Sequence, residues 1–136
     1  KLEKLISISN KNITVKYNHQ SIKSLLKQAK KNNQNNIKKY DFIYCAGLFD
    51  YLPDKICAKL INIFYSWLVS GSKLLVTNVH PNNNQRFWME FISEWYLIYR
   101  DEIQMSHLVK NVGIPTVFTD QTGLNVFLEI IKNEDS

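Results

Sequence analysis

Tyr40-Asp41-Phe42-Ile43-Tyr44-Cys45-Ala46-Gly47-Leu48-Phe49-Asp50-Tyr51-Leu52-Pro53-Asp54 is the stretch that decides the fold. An apolar run follows Asp41. Small residues come next, then an aromatic-acid-aromatic triplet, then a helix start. This predicts a buried parallel strand over about 41–46 that delivers side chains to its carboxyl end. In open α/β sheets ligands bind at that end. Pro53 and Asp54 open the following helix, proline being tolerated in a first turn.

Working outward, Ile56, Leu60, Phe64, Trp67 and Leu68 recur at helical spacing, and Ser70-Gly71 is expected to stop that helix with a left-handed glycine. Residues 73–79 (KLLVTNV) read as a second apolar strand, with His80-Pro81-Asn82-Asn83-Asn84 as its exit loop. Two helices are expected next. One, at 85–97, carries Trp88, Phe91, Ile92 and Trp95, with Trp88, Phe91 and Trp95 expected first as core and second as a substrate pocket. The other, at 101–111, would present Ile103, Leu108, Val109 and Val112, with Asp101 and Glu102 at its amino end and Gly113 closing it. Residues 114–119 and 125–131 read as strands joined by the turn Asp120-Gln121-Thr122-Gly123. Upstream, residues 1–7 read as the end of a helix and 13–17 as a strand. Residues 22–31 read as a helix capped by Ser21, with Ile22, Leu25, Leu26 and Ala29 facing in. The Asn-rich residues 32–36 read as a loop. Strands alternating with helices predict an α/β fold: a mostly parallel sheet with a final antiparallel hairpin and helices on both faces.

Composition bounds the function. The 136 residues are 45% hydrophobic and 12% aromatic, enough for a core. No apolar run reaches the roughly 18 to 20 residues of a membrane span. Ten Lys and one Glu in residues 1–39 give +9, and seven Lys or Arg with eleven Asp or Glu in residues 40–136 give −4, which sums to the net +5. The basic arm is interleaved with Asn and has no Arg, so a solvated face is expected over a nucleic-acid patch. Cys45 and Cys57 form no CxxC pair or Cys/His cluster. They predict neither a metal site nor a disulfide, but buried thiols in a reducing cytoplasm.

The element order resembles the class I, Rossmann-like S-adenosylmethionine-dependent methyltransferases, whose seventh strand is inserted antiparallel beside the sixth. Four runs narrow the resemblance: residues 40–54, SGSKLLVTNVHPNN (70–83), MEFISEWYLIYRDE (89–102) and TGLNVFLEI (122–130). They look like the bacterial group labelled extracellular-factor, or 3-hydroxypalmitic acid methyl ester, biosynthesis proteins. Trp95-Tyr96-Leu97-Ile98-Tyr99-Arg100 is the most specific part. The resemblance covers this whole chain but only the carboxyl-terminal two-thirds of such a domain. The family's first two strands and its Gly-rich cofactor loop are expected before Lys1. It implies methyl transfer by the parent protein to a fatty-acid-type carboxylate, with this segment supplying the acceptor side and inactive alone.

The resemblance implies site residues as well. Asn18 would approach the adenine, or simply form a turn. Cys45, Ala46, Gly47, Leu48 and Phe49 would line the cofactor's sulfonium side; for Gly47 a plain turn role stands equally. Asp50 and Tyr51 emerge where an acceptor would sit, although Asp50 could instead cap the next helix. His80 leaves the next strand on the same rim, as an orienting group or an ordinary loop histidine. Tyr99 and Arg100 follow the aromatic helix. Arg100 would either fork onto an acceptor carboxylate or pair with Asp101 or Glu102. The partners expected are a small-molecule or acyl acceptor, with the open edge of the 41–46 strand covered by the 13–17 strand, by a homodimer or by residues amino-terminal to Lys1. The other reading is a catalytically inactive, methyltransferase-like interaction or assembly module.

Overall fold

The computed structural model describes residues 12–31 and 39–134. The helix end expected at 1–7 and the loop at 32–36 lie outside them. Two compact units divide between Lys31 and Asn32. In the first, α1 spans Ile22–Lys31. Ile22, Leu25, Leu26 and Ala29 are its half-buried positions, on the face expected. The Ser21 hydroxyl accepts the Ser24 N–H at 3.2 Å, so the cap is as expected. Residues 13–17 form no strand. A β-branched alternation makes a strand only when a ladder partner is present, and none pairs with it among the described residues.

The second unit holds a sheet ordered β1-β2-β4-β3. The strands are β1 (Tyr40–Cys45), β2 (Leu68–Val79), β3 (Pro115–Thr119) and β4 (Asn125–Ile131). β1 runs parallel to β2, while β4 is antiparallel to both β2 and β3. The chain therefore passes to β3 at the far edge and turns back to insert β4. This is the mixed α/β arrangement expected.

The helix α2 (Asp54–Trp67) buries Cys57, Leu60, Ile61 and Phe64. Its inward face lies about one residue from the one expected, with Cys57 and Ile61 replacing Ile56 and Trp67. Leu68, Leu74 and Val76, together with Val126, Leu128 and Ile130 of β4, are fully buried. Each such aliphatic side chain contributes roughly 1.5–3 kcal/mol on burial.

α2 stops at Leu68, which is already extended (φ −75°, ψ 146°), so Gly71 caps no helix. Gly71 does take a positive φ of 77°. It sits in an irregularity where the β1 register steps from Tyr40↔Leu68 to Phe42↔Lys73. There its N–H donates to Lys132 O at 2.9 Å.

Three further expectations change. Among the described residues β1 lies at the edge of the sheet, with Phe42 and Tyr44 about half exposed, so it is not buried on both faces. The helix expected over 85–97 shrinks to a π-helical turn at Trp88–Ile92. Its aromatics face outward, with Trp88, Phe91 and Trp95 at 59%, 69% and 48% exposure, so the core reading of them fails. Apolar spacing names a face but not what covers it. The helix expected over 101–111 ends early, as α3 (Glu102–Ser106). Asp101 and Gln104 form a reciprocal capping box there. Met105 and Leu108 are buried while Ile103 is exposed.

Candidate functional site

β1 and β2 are parallel, so their carboxyl ends open on one rim. Four of the five residues proposed for the cofactor wall that lie in this unit run from that end of β1 into the loop. Cys45 and Leu48 are half-buried, and Ala46 and Gly47 are exposed. Gly47 has φ 71°, and a Cβ built on it meets nothing within 4 Å. Its N–H donates to Thr77 Oγ1 at 3.3 Å, which ties the loop to β2. Exposed small residues with open space beside them fit a wall that a cofactor approaches closely. Phe49, the fifth, is fully buried and belongs to the core. Asn18 is exposed in the first unit, where its Nδ2 donates to Gln20 Oε1 at 3.4 Å.

The residues proposed for the acceptor side come together through a strap, residues 98–100, laid between the two strand ends. Ile98 N–H donates to Asp50 O at 2.7 Å, and Arg100 N–H donates to Val79 O at 3.1 Å. Asp50 is 5% exposed. Its Oδ1 accepts the Val79 N–H at 2.7 Å, which joins the β1 exit loop to β2 rather than capping α2. Oδ2 takes no hydrogen bond from the described residues. Burial pushes the Asp50 carboxyl up; the Val79 N–H and then Arg100 pull the other way.

Arg100 is 2% exposed. Nε and Nη2 both donate to Asp54 Oδ1, at 2.9 and 2.7 Å. Nη1 donates to Phe49 O and to Asn78 Oδ1, each at 2.8 Å, and Nη2 also donates to Leu52 O at 2.6 Å. These five bonds use the five N–H groups of a guanidinium. The partners are Asp54, Asn78 and two loop carbonyls, not the Asp101 or Glu102 that the sequence suggested, and no donor is left over for an acceptor carboxylate. Arg100 thus positions the rim.

His80 is 8% exposed and is similarly engaged. Its Nδ1 accepts the Asn82 N–H at 3.0 Å. That leaves the proton on Nε2, which faces Glu102 Oε2 at 3.3 Å. The histidine couples the β2 exit loop to the start of α3.

Tyr51 and Tyr99 differ from these. The Trp95 Nε1–H donates to Tyr51 Oη, so the Tyr51 hydroxyl proton stays free to donate outward. Tyr51 is 52% exposed and its hydroxyl meets the indole edge of the half-exposed Trp95. The Tyr99 hydroxyl is buried and makes no close hydrogen bond among the described residues. Burial, then the nearby Glu90 carboxylate, pushes its pKa up. The Arg86 guanidinium lies 4.3 Å from the centre of the Tyr99 ring.

The sequence reading missed Asp54 as the anchor of Arg100 and Trp95 as the partner of Tyr51. Asp54 carried a helix-start signal that hid a second role. Cys45 and Cys57 are free thiols, each pushed up to about 11, chiefly by burial. No cluster of three or more metal-ligating side chains occurs among the described residues.

No protein-family model matches the chain, and no curated protein matches it. Solved structures do. The S-adenosylmethionine-dependent methyltransferase SibL, in its apo form, matches with TM-score 0.66 and 9% identity, over 97% of this chain and 40% of SibL. Magnesium protoporphyrin IX methyltransferase from Synechocystis PCC 6803, with bound S-adenosylhomocysteine, matches with TM-score 0.57 and 12% identity, over 97% of this chain and 57% of the other. Human N-acetylserotonin methyltransferase in complex with S-adenosylmethionine matches with TM-score 0.54 and 14% identity, over 69% and 30%. At these identities the likeness concerns the fold, which is Rossmann-like and shared with methyltransferases. The chain spans 30% to 57% of the length of these three proteins.

Proposed function

We propose that this chain forms the acceptor-side wall of an S-adenosylmethionine-dependent methyltransferase whose acceptor is an acyl-type carboxylate. The observation that carries this reading is the free hydroxyl of Tyr51 at the rim, beside an exposed aromatic surface. S-adenosylmethionine supplies an activated methyl group. The small residues Cys45, Ala46 and Gly47 would stand against it.

The residues of this chain would bind and orient the acceptor. An ionised carboxylate is nucleophilic without a general base, so what it needs is placement. The Tyr51 O–H can donate to one carboxylate oxygen. Phe87, Trp88, Phe91 and Trp95 offer exposed apolar surface for a hydrocarbon chain. Asp50 and Arg100 hold the loop that carries Tyr51 against β2 and the strap, and His80 holds the neighbouring β2 exit loop.

A second reading is an inactive methyltransferase-like interaction module. The engagement of every Arg100 donor and both His80 nitrogens favours it.

Labelled methyl transfer to a long-chain fatty acid by the protein that carries this chain separates the two. The enzyme reading expects label in a methyl ester, with the rate reduced about tenfold or more in Tyr51→Phe, the loss of one hydrogen bond to a charged group. An unchanged rate in the variant would remove Tyr51 from the reaction. No label in any acceptor would leave the module reading.

A further inference from the structure

We propose that a cleft along α2, apart from the rim, binds the phosphate group of a small ligand. The cleft has a volume of about 560 Å³ and is lined by Lys55 and Lys59 of α2 and by Lys110 beyond α3. That volume is in the ordinary range for small-molecule sites. Ala58 and Leu108 also line it and supply apolar contact.

The distribution of partners marks these three lysines. Among the described residues of this unit, every other cation is satisfied. Lys39 donates to Ser66 O, Lys132 to Tyr65 O, and Lys73 pairs with Glu129. Arg86 pairs with Glu90, and Arg100 with Asp54. Lys55, Lys59 and Lys110 take no ion-pair or hydrogen-bond partner among the described residues, yet they line one concavity. The cleft's one carboxylate, Asp54, gives Oδ1 to Arg100. Lys55 and Lys59 are also four apart on a helix, where like charges repel.

An anion relieves that repulsion. Lysine ammoniums act as mobile point charges, suited to a tetrahedral phosphate with oxygens on several sides. This inference does not depend on methyl transfer. It is tested without S-adenosylmethionine, so either reading can fail alone.

The test titrates inorganic phosphate and phenyl phosphate into the full chain, following amide chemical shifts. Saturable binding is expected, with shifts at Ala58 and Leu108. It should weaken about tenfold in Lys55→Gln/Lys59→Gln and again in Lys110→Gln, and fall with added salt. Lys23→Gln/Lys27→Gln, on α1, removes equal charge elsewhere and should leave it unchanged. Tighter phenyl phosphate points to a phosphate ester and equal affinity to free phosphate; either supports the site. Absence of saturation, or equal weakening in the α1 variant, would overturn the proposal.

Discussion

Arg100 Nη1 donates to Asn78 Oδ1 at 2.8 Å, while Asn78 Nδ2 donates to Ile98 O at 2.9 Å and to Val79 O at 3.1 Å. Strap and strand end therefore clasp each other, with Asn78 spending its amide on both sides. With the further bonds of Arg100 to Phe49 O and Leu52 O, three chain segments meet on one guanidinium.

Removing that guanidinium strands buried acceptors. Arg100→Ala is expected to cost about 3–5 kcal/mol, the range for breaking a buried charged network. Asp54 is different, because its side chain is 74% exposed and solvent screens the pair. Asp54→Asn should cost about 0–1 kcal/mol. Denaturant midpoints check both. Similar losses from the two variants would mean the ion pair, not the carbonyl bonds, holds the strap.

Gly113 packs where nothing larger fits. Its φ is 52°, and a Cβ there would lie 2.7 Å from Ile130 Cγ2. Gly113→Ala adds left-handed strain to overpacking against β4, for a loss of about 2–4 kcal/mol. A thermal melt reads it, and a change within about 0.5 kcal/mol would place the glycine elsewhere.

The β3–β4 turn carries a pH signature. Asp120 is held down at about 2, first by the Asn125 side chain and then by the Thr122 hydroxyl. A depressed carboxyl stabilises the fold above its unfolded pKa. That contribution is lost as pH falls through the folded pKa. Hairpin amides should therefore lose exchange protection from about pH 4 down to about 2, with the carboxyl titrating near the lower value. Titration at an ordinary carboxylate pKa would contradict the turn geometry.

Both thiols are expected to resist alkylation. At a pKa of about 11 little thiolate exists at pH 8, so Cys45 and Cys57 should react with iodoacetamide well over tenfold more slowly than an unfolded control. Fast labelling of Cys45 at pH 8 would show that the end of β1 opens.

Local signals were the legible ones. The hairpin was readable because Asp120 to Gly123 is a self-contained turn: Gly123 N–H donates to Asp120 O at 3.0 Å and Leu124 N–H to Asp120 Oδ1 at the same distance. α2 was legible from its apolar spacing. The outward face of Trp88 and Phe91 was not, since spacing is the same whether or not another element covers a stripe. Nor was the role of Arg100. Its partners lie 22 to 51 residues away in sequence, and Asp101 and Glu102 beside it are decoys. Tyr51 was placed at the rim by its position after β1, but its polarisation by Trp95 comes from 44 residues away.

The central claim is that the end of β1 stands against S-adenosylmethionine. Calorimetric titration of S-adenosylhomocysteine into the protein that carries this chain, as wild type and as Gly47→Asn, tests it most directly. Asparagine tolerates the left-handed backbone of Gly47 and fills the open space beside it, so the fold should persist. The account predicts saturable binding to the wild type and binding weaker by about tenfold or more in the variant, with an unchanged melting temperature. No binding to the wild type, or equal binding to both, would contradict it.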